Sequence, residues 1–212
     1  MIEIFTHPID FILHVDRYVG LIISSYDSLT YLILFLVIFL ETGLVVTPFL
    51  PGDSLLFISG AFASQGSINI VFLFVLFFFA AVLGDTMNYW IGSFFGERVF
   101  SKSRFFKKHY LERTKNFYNK HGGKTIILAR FVPIVRTFAP FVAGIGKMDY
   151  KRFLSYNVIG GFLWVSLFLS SGYYFGKIPW VEKNLTIVIY AIILISILPI
   201  ILEYIKEKRG KK

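Results

Sequence analysis

The chain has 212 residues, of which 56% are hydrophobic and 19% aromatic, with a formal net charge of +9 and a mean hydropathy of +0.67. That apolar share exceeds ordinary soluble usage, and the length suits one compact helical bundle rather than several domains. Cysteine is absent, which excludes a disulfide framework, a thiol nucleophile and thiolate metal ligation.

The opening MIEIFTHPID has no basic n-region and no small-residue cleavage pattern, so no removable signal peptide is expected. Phe11, Ile12, Val15, Tyr18, Val19 and Ile22 recur at helical spacing, while Asp16 and Arg17 fall mid-segment. Residues 1–28 therefore predict an amphipathic helix lying at a membrane interface, with a first spanning helix as the alternative. Residues 29–212 read as a single membrane domain.

From Leu29 to Leu40 the chain is almost wholly apolar, and then Glu41, Pro48, Pro51 and Asp53 interrupt it. Pro51-Gly52 is a turn signal, and Asp53 and Ser54 read as N-cap residues of a helix ending near Ser64. Each arm is shorter than the roughly 20 apolar residues of a full crossing. Residues 29–64 thus predict a re-entrant hairpin. After the polar loop Gln65–Asn69, residues 70–96 predict a span with Asp85 and Asn88 in its second half, where Asp85 is a candidate cavity residue.

Residues 97–124 hold nine Lys/Arg against two Glu, interleaved with Phe105, Phe106, Tyr110, Phe117 and Tyr118. Lying between membrane segments, this reads as a basic amphipathic segment on the cytoplasmic face, not a nucleic-acid surface. The run Ala129–Gly144, ARFVPIVRTFAPFVAG, then places Arg130 and Arg136 among apolar residues with Pro133 and Pro140. A guanidinium at membrane depth costs roughly 2.5–3.5 kcal/mol on insertion scales and marks a site. Two prolines argue against a continuous helix, so residues 125–147 predict a second hairpin, with Pro133–Pro140 non-helical. Spans follow at 153–176 and 185–204, then the tail KEKRGKK. Both basic segments point to a multi-pass protein of the cell membrane with a cytoplasmic C-terminus.

Two features repeat. Pro48-Phe-Leu-Pro51 parallels Pro133-Ile-Val-Arg136, each leading to a glycine, Gly60 or Gly144, and Gly92-Ser-Phe-Phe-Gly96 parallels Gly172-Tyr-Tyr-Phe-Gly176. With the charge rule, the fold class predicted is all-α: a polytopic helical membrane protein with two re-entrant hairpins in an inverted repeat.

Glu41, the PxxPGD run ending at Asp53, the GDxxxYWxG run from Gly84 to Gly92, and FVPIVRTFAPFVAG closing at Gly144 resemble the DedA family, also called SNARE-associated or VTT-domain proteins. The resemblance covers roughly residues 29–176. It implies movement of lipids between leaflets, undecaprenyl phosphate and phospholipids among them, through two facing re-entrant hairpins. It also implies functional roles for Glu41, Asp53, Arg130 and Arg136.

The chemistry is readable beside that resemblance. Guanidinium groups bind phosphate oxygens bidentately, and a break at Pro133 lets Arg130 and Arg136 converge on one head group. Glu41 is placed to take up a proton, Asp53 to cap a half-helix, and Pro48, Pro51, Gly52, Pro133, Pro140 and Gly144 to shape the hairpins. The competing view is that carboxylates and arginines only pair and lock the hairpins together. The function expected is translocation of a phosphate-bearing lipid, not catalysis. The alternatives are a lipid-phosphate enzyme or a proton-coupled exporter of small cations. His7, His14, His109 and His121 lie outside the deep apolar runs, so no metal or other cofactor is expected. The partners expected are membrane lipids, with no nucleic acid, and self-association into a homo-oligomer is left open. Trp90, Trp164 and Trp180 read as packing or interfacial anchors.

Overall fold

A computed structural model describes residues 15–26, 28–44, 52–102 and 123–195. Every regular element among them is a helix. In chain order these are α1 (Val15–Tyr26), α2 (Leu29–Gly43), α3 (Gly52–Ser64), α4 (Ile70–Lys102), α5 (Lys124–Ala129), α6 (Pro133–Ile145), α7 (Tyr150–Phe175) and α8 (Pro179–Lys183). The last is α9 (Leu185–Ile195). The all-α class expected from the sequence is the class found.

Helix α4 carries a 26-residue apolar stretch and α7 is 26 residues long, about 39 Å at the rise of an α-helix, enough to cross a bilayer core. Helices α2, α3 and α6 have 15, 13 and 13 residues, too few to cross one. The starts of α4 and α7 have local causes. The Asn69 carboxamide oxygen accepts the Phe72 N–H at 3.0 Å ahead of α4, and the Asp149 carboxylate accepts the Arg152 N–H at 2.9 Å ahead of α7. That cap starts α7 a few residues before the predicted Phe153.

Beside an apolar core, the surface and the buried charges depart from those of a water-soluble protein. Phe72, Val75, Phe79 and Leu83 on α4, and Ile159, Phe162, Leu163 and Leu167 on α7, are exposed. Glu41, Asp53, Asp85, Asn88, Arg130, Arg136 and Asn157 are buried. Large apolar stripes outside and charge inside suit a lipid solvent.

The chain divides into two compact units: Met1–Phe35 with Phe49–Phe77 and Val165–Lys212, and Leu36–Pro48 with Phe78–Trp164. In the first unit, α1 packs on α3, with Val19 buried and Gly20 facing the Phe62 ring. Helix α3 crosses α7 backbone to backbone. A Cβ at Gly60 would overlap the Leu169 carbonyl and lie 2.9 Å from the Tyr173 nitrogen, and one at Gly172 would overlap the Phe57 carbonyl.

The second unit repeats that crossing with other residues. A Cβ at Gly144 on α6 would overlap the Tyr89 carbonyl on α4 and lie 2.7 Å from the Ser93 nitrogen, and one at Gly92 would overlap the Phe141 carbonyl. Phe57-x-x-Gly60 against Gly172 and Phe141-x-x-Gly144 against Gly92 share one spacing. Gly60, Gly92, Gly144 and Gly172, which belong to the repeat in the sequence, are thus points where two backbones touch. Around the second crossing, Tyr89 stacks on Phe153 at 4.5 Å between centroids, in a core with Ile126, Ala129, Ala139 and Ala143.

One expectation is corrected. Pro133–Pro140 is helical: α6 starts at Pro133 and runs through Pro140 to Ile145. The break lies just before it, at Arg130-Phe131-Val132, where Phe131 and Val132 N–H groups bond three residues back, to Leu128 (3.2 Å) and Ala129 (3.0 Å). Val132 is extended (φ −121°, ψ 105°), the conformation a following proline favours. Pro133 at the first helical position has no N–H to leave unmet. Pro140 forfeits one helical bond, whereas unwinding the whole segment would expose many backbone groups where no water can meet them. Helix α3 begins at Gly52, at least two residues earlier than expected from Asp53 and Ser54 as N-caps, which puts Asp53 inside its first turn. Pro48 and Pro51 lie outside the described residues, as do most of the basic segment 97–124, the N-terminal part of 1–28 and the tail.

Candidate functional site

The break between α5 and α6 positions the site. Arg130 is the C-terminal cap of α5 and Arg136 stands in the first turns of α6, so a non-helical step turns both side chains into one region of the second unit. Glu41 ends α2 in the same unit, and Asp85 and Asn88 come from α4.

Arg130 donates from Nη2 to Asp85 Oδ2 at 2.5 Å, to the Asn157 carboxamide oxygen, and to the Ala81 carbonyl at 3.4 Å. Arg136 donates from Nη2 to Glu41 Oε1, also at 2.5 Å. All four ionisable side chains are within a few per cent of full burial. Two positive and two negative charges therefore balance inside the unit, which a low-dielectric interior requires.

The indole of Trp164 joins the two pairs. The Arg136 Cζ stands 4.7 Å from its ring centroid and the Arg130 Cζ 5.9 Å, within the range of cation–π attraction. The ring's negative face offsets part of the repulsion between neighbouring guanidinium groups. Close packing completes the pocket for Arg130, since a Cβ at Gly160 would come within 3.2 Å of its Cδ. Arg130 Nε and Nη1, with Asp85 Oδ1, have no hydrogen-bond partner among the described residues. Asn157 holds Asp85's helix as well, donating to the Val82 carbonyl at 3.0 Å.

The arginines converge, and Glu41 and Asp85 are the carboxylates they meet. Asp53 belongs to the first unit, buried in the first turn of α3. Gly144 holds the α6–α4 crossing, and Gly52 opens α3. Trp164 is fully buried and so is not an interfacial anchor. Asn157 escaped the sequence reading, although a lone asparagine in a long apolar helix is a signal of its own.

The VTT domain family model matches residues 50–174. Protein DedA of Escherichia coli K12 is 57% identical over 206 residues, covering 95% of this chain and 94% of that protein. The chain belongs to the DedA family. Another relative, the inner membrane protein YqjA of Escherichia coli K12, is 34% identical over 157 residues, 73% of this chain and 71% of its own. The uncharacterized membrane protein ML0287 of Mycobacterium leprae is 46% identical over 165 residues, 77% and 74% of the two chains. No solved structure matches. The lipid-suited surface and these relatives agree that this DedA-family chain is a membrane protein.

Trp164 allows a direct test of the charge cluster. Trp164→Phe keeps a ring face over the arginines, whereas Trp164→Leu keeps only bulk. The leucine variant is expected to melt several degrees below the phenylalanine variant, since cation–π contacts contribute about 0.5–2 kcal/mol. Equal melting temperatures in detergent would show that the ring only fills space.

Proposed function

We propose that this DedA-family protein carries a phosphate-bearing lipid, undecaprenyl phosphate or a glycerophospholipid, between membrane leaflets. The observation that carries this reading is the pair of buried guanidinium groups gathered on one indole, with donor nitrogens of Arg130 to spare. A structural ion pair needs no shared platform and no donor nitrogens left over. Two convergent arginines instead match the charge and the several acceptor oxygens of a phosphate.

Charge balance suggests how such a cycle runs. An arriving phosphate oxyanion takes the place of a carboxylate on a guanidinium, and the displaced Glu41 or Asp85 takes up a hydronium proton from the aqueous phase. Loss of that proton restores the ion pair and expels the head group, which makes transport proton-coupled. In this reading the α2–α3 and α5–α6 segments are two re-entrant hairpins of an inverted repeat. In the same reading the basic C-terminus is cytoplasmic.

The test is leaflet translocation in proteoliposomes containing the purified chain, with labelled undecaprenyl phosphate and labelled phospholipid followed separately. Movement of at least one well above protein-free vesicles is expected, rising when a proton gradient is imposed. Translocation of neither, by protein shown to be folded, would refute the reading.

A further inference from the structure

The face of α4 that carries Gly84, Asn88 and Gly92 is spaced at one turn per step, so the three lie in one row. Gly84 admits the end of α2: a Cβ there would overlap Thr42 and come within 3.1 Å of the Gly43 nitrogen. Gly92 admits α6 at Phe141. Between them Asn88, fully buried, donates its two amide hydrogens to the Thr42 carbonyl at 3.2 Å and the Thr137 carbonyl at 2.7 Å.

Those two carbonyls belong to the residues directly after Glu41 and Arg136. Both partners are acceptors, so only a nitrogen bearing two hydrogens serves them together. Thr42 lies in the last turn of α2, where carbonyls lack helical partners. One side chain thus ties the end of a helix bearing the carboxylate to the helix bearing the guanidinium.

We infer that Asn88 is a positioning residue, a two-armed latch that sets the register of the Glu41–Arg136 ion pair. The glycines on either side permit both helices to approach α4, and the amide fixes how far each slides along it. A shift of about one residue rise, 1.5 Å, would carry Arg136 out of hydrogen-bond range of Glu41. The latch itself needs no lipid, although its consequence for ligand affinity rests on the lipid-phosphate reading.

The experiment is a cycle of melting temperatures for the full chain in detergent: parent, Asn88→Leu, Glu41→Gln and the double variant. If Asn88 holds the pair in register, Glu41→Gln is expected to lower the melting temperature by less than half as much in the Asn88→Leu background as in the parent. If Asn88→Leu does not fold, Asn88→Ser, which keeps one donor, takes its place in the cycle. A second arm titrates dodecyl phosphate into each folded protein, with the dissociation constant expected to rise at least five-fold when the latch is lost. A non-additive cycle with no dodecyl phosphate binding to the parent leaves the latch standing and removes the phosphate reading. Additive shifts, or undiminished affinity in the Asn88 variant where the parent binds, would overturn the latch.

Discussion

Arg136→Lys and Arg130→Lys proteins are expected to fold and to lose at least ten-fold of lipid translocation. Lysine preserves the positive charge opposite Glu41 or Asp85, so the interior stays neutral. It gives up the planar fork, in which Arg130 meets Asp85, Asn157 and the Ala81 carbonyl from Nη2 alone and keeps Nε and Nη1 for the oxygens of a phosphate. Hydrogen bonds to charged groups contribute about 1.5–3 kcal/mol each, and one such loss in the loaded state is a factor of roughly 10–100. Arg130→Ala is a different experiment. It leaves Asp85 buried without its cation, which costs about 3–5 kcal/mol, so loss of folded protein is the expected outcome there. Translocation assayed beside thermal melting separates the two. Parent-level transport by either lysine variant would falsify the guanidinium clamp and favour a purely structural pair.

The second large effect is expected at the backbone crossings. Gly144→Ala and Gly92→Ala drive a methyl into the carbonyls of Tyr89 and Phe141, and Gly60→Ala and Gly172→Ala do the same at Leu169 and Phe57. Backbone cannot step aside as a side-chain tip does, so each of the four is expected to destabilise by upward of about 3 kcal/mol. Gly20→Ala is the control. Its new Cβ meets only the tip of the Phe62 ring at 3.3 Å, and its melting temperature is expected to stay near that of the parent. Because the two crossings share one spacing, the effects in the two units should match in size. Tolerance at Gly60 and Gly172 with collapse at Gly92 and Gly144 would show that the repeat is one of sequence and not of packing.

The amino-acid sequence by itself determined the solvent and the kind of chemistry. An apolar stretch long enough to cross a bilayer is a local property, and so is the cost of a guanidinium in the run that holds Arg130 and Arg136. Pro133 announced that the helix breaks between those arginines, because a proline dictates the backbone of its predecessor wherever it stands. Where the break stops was not local. Pro140 remains helical because α6 is pinned to α4 at Gly92 and Gly144, a contact made far along the chain. The partners of the arginines were likewise decided only in three dimensions. Arg130 meets Asp85 across 45 positions and Arg136 meets Glu41 across 95, while the shared platform is a tryptophan that the sequence offered as either a packing residue or an interfacial anchor. Charge and hydropathy act through the residue that bears them and can be read in a line. Ion pairing, by contrast, falls off over a few ångströms, so the choice among Asp53, Asp85 and Glu41 waits on how the helices pack.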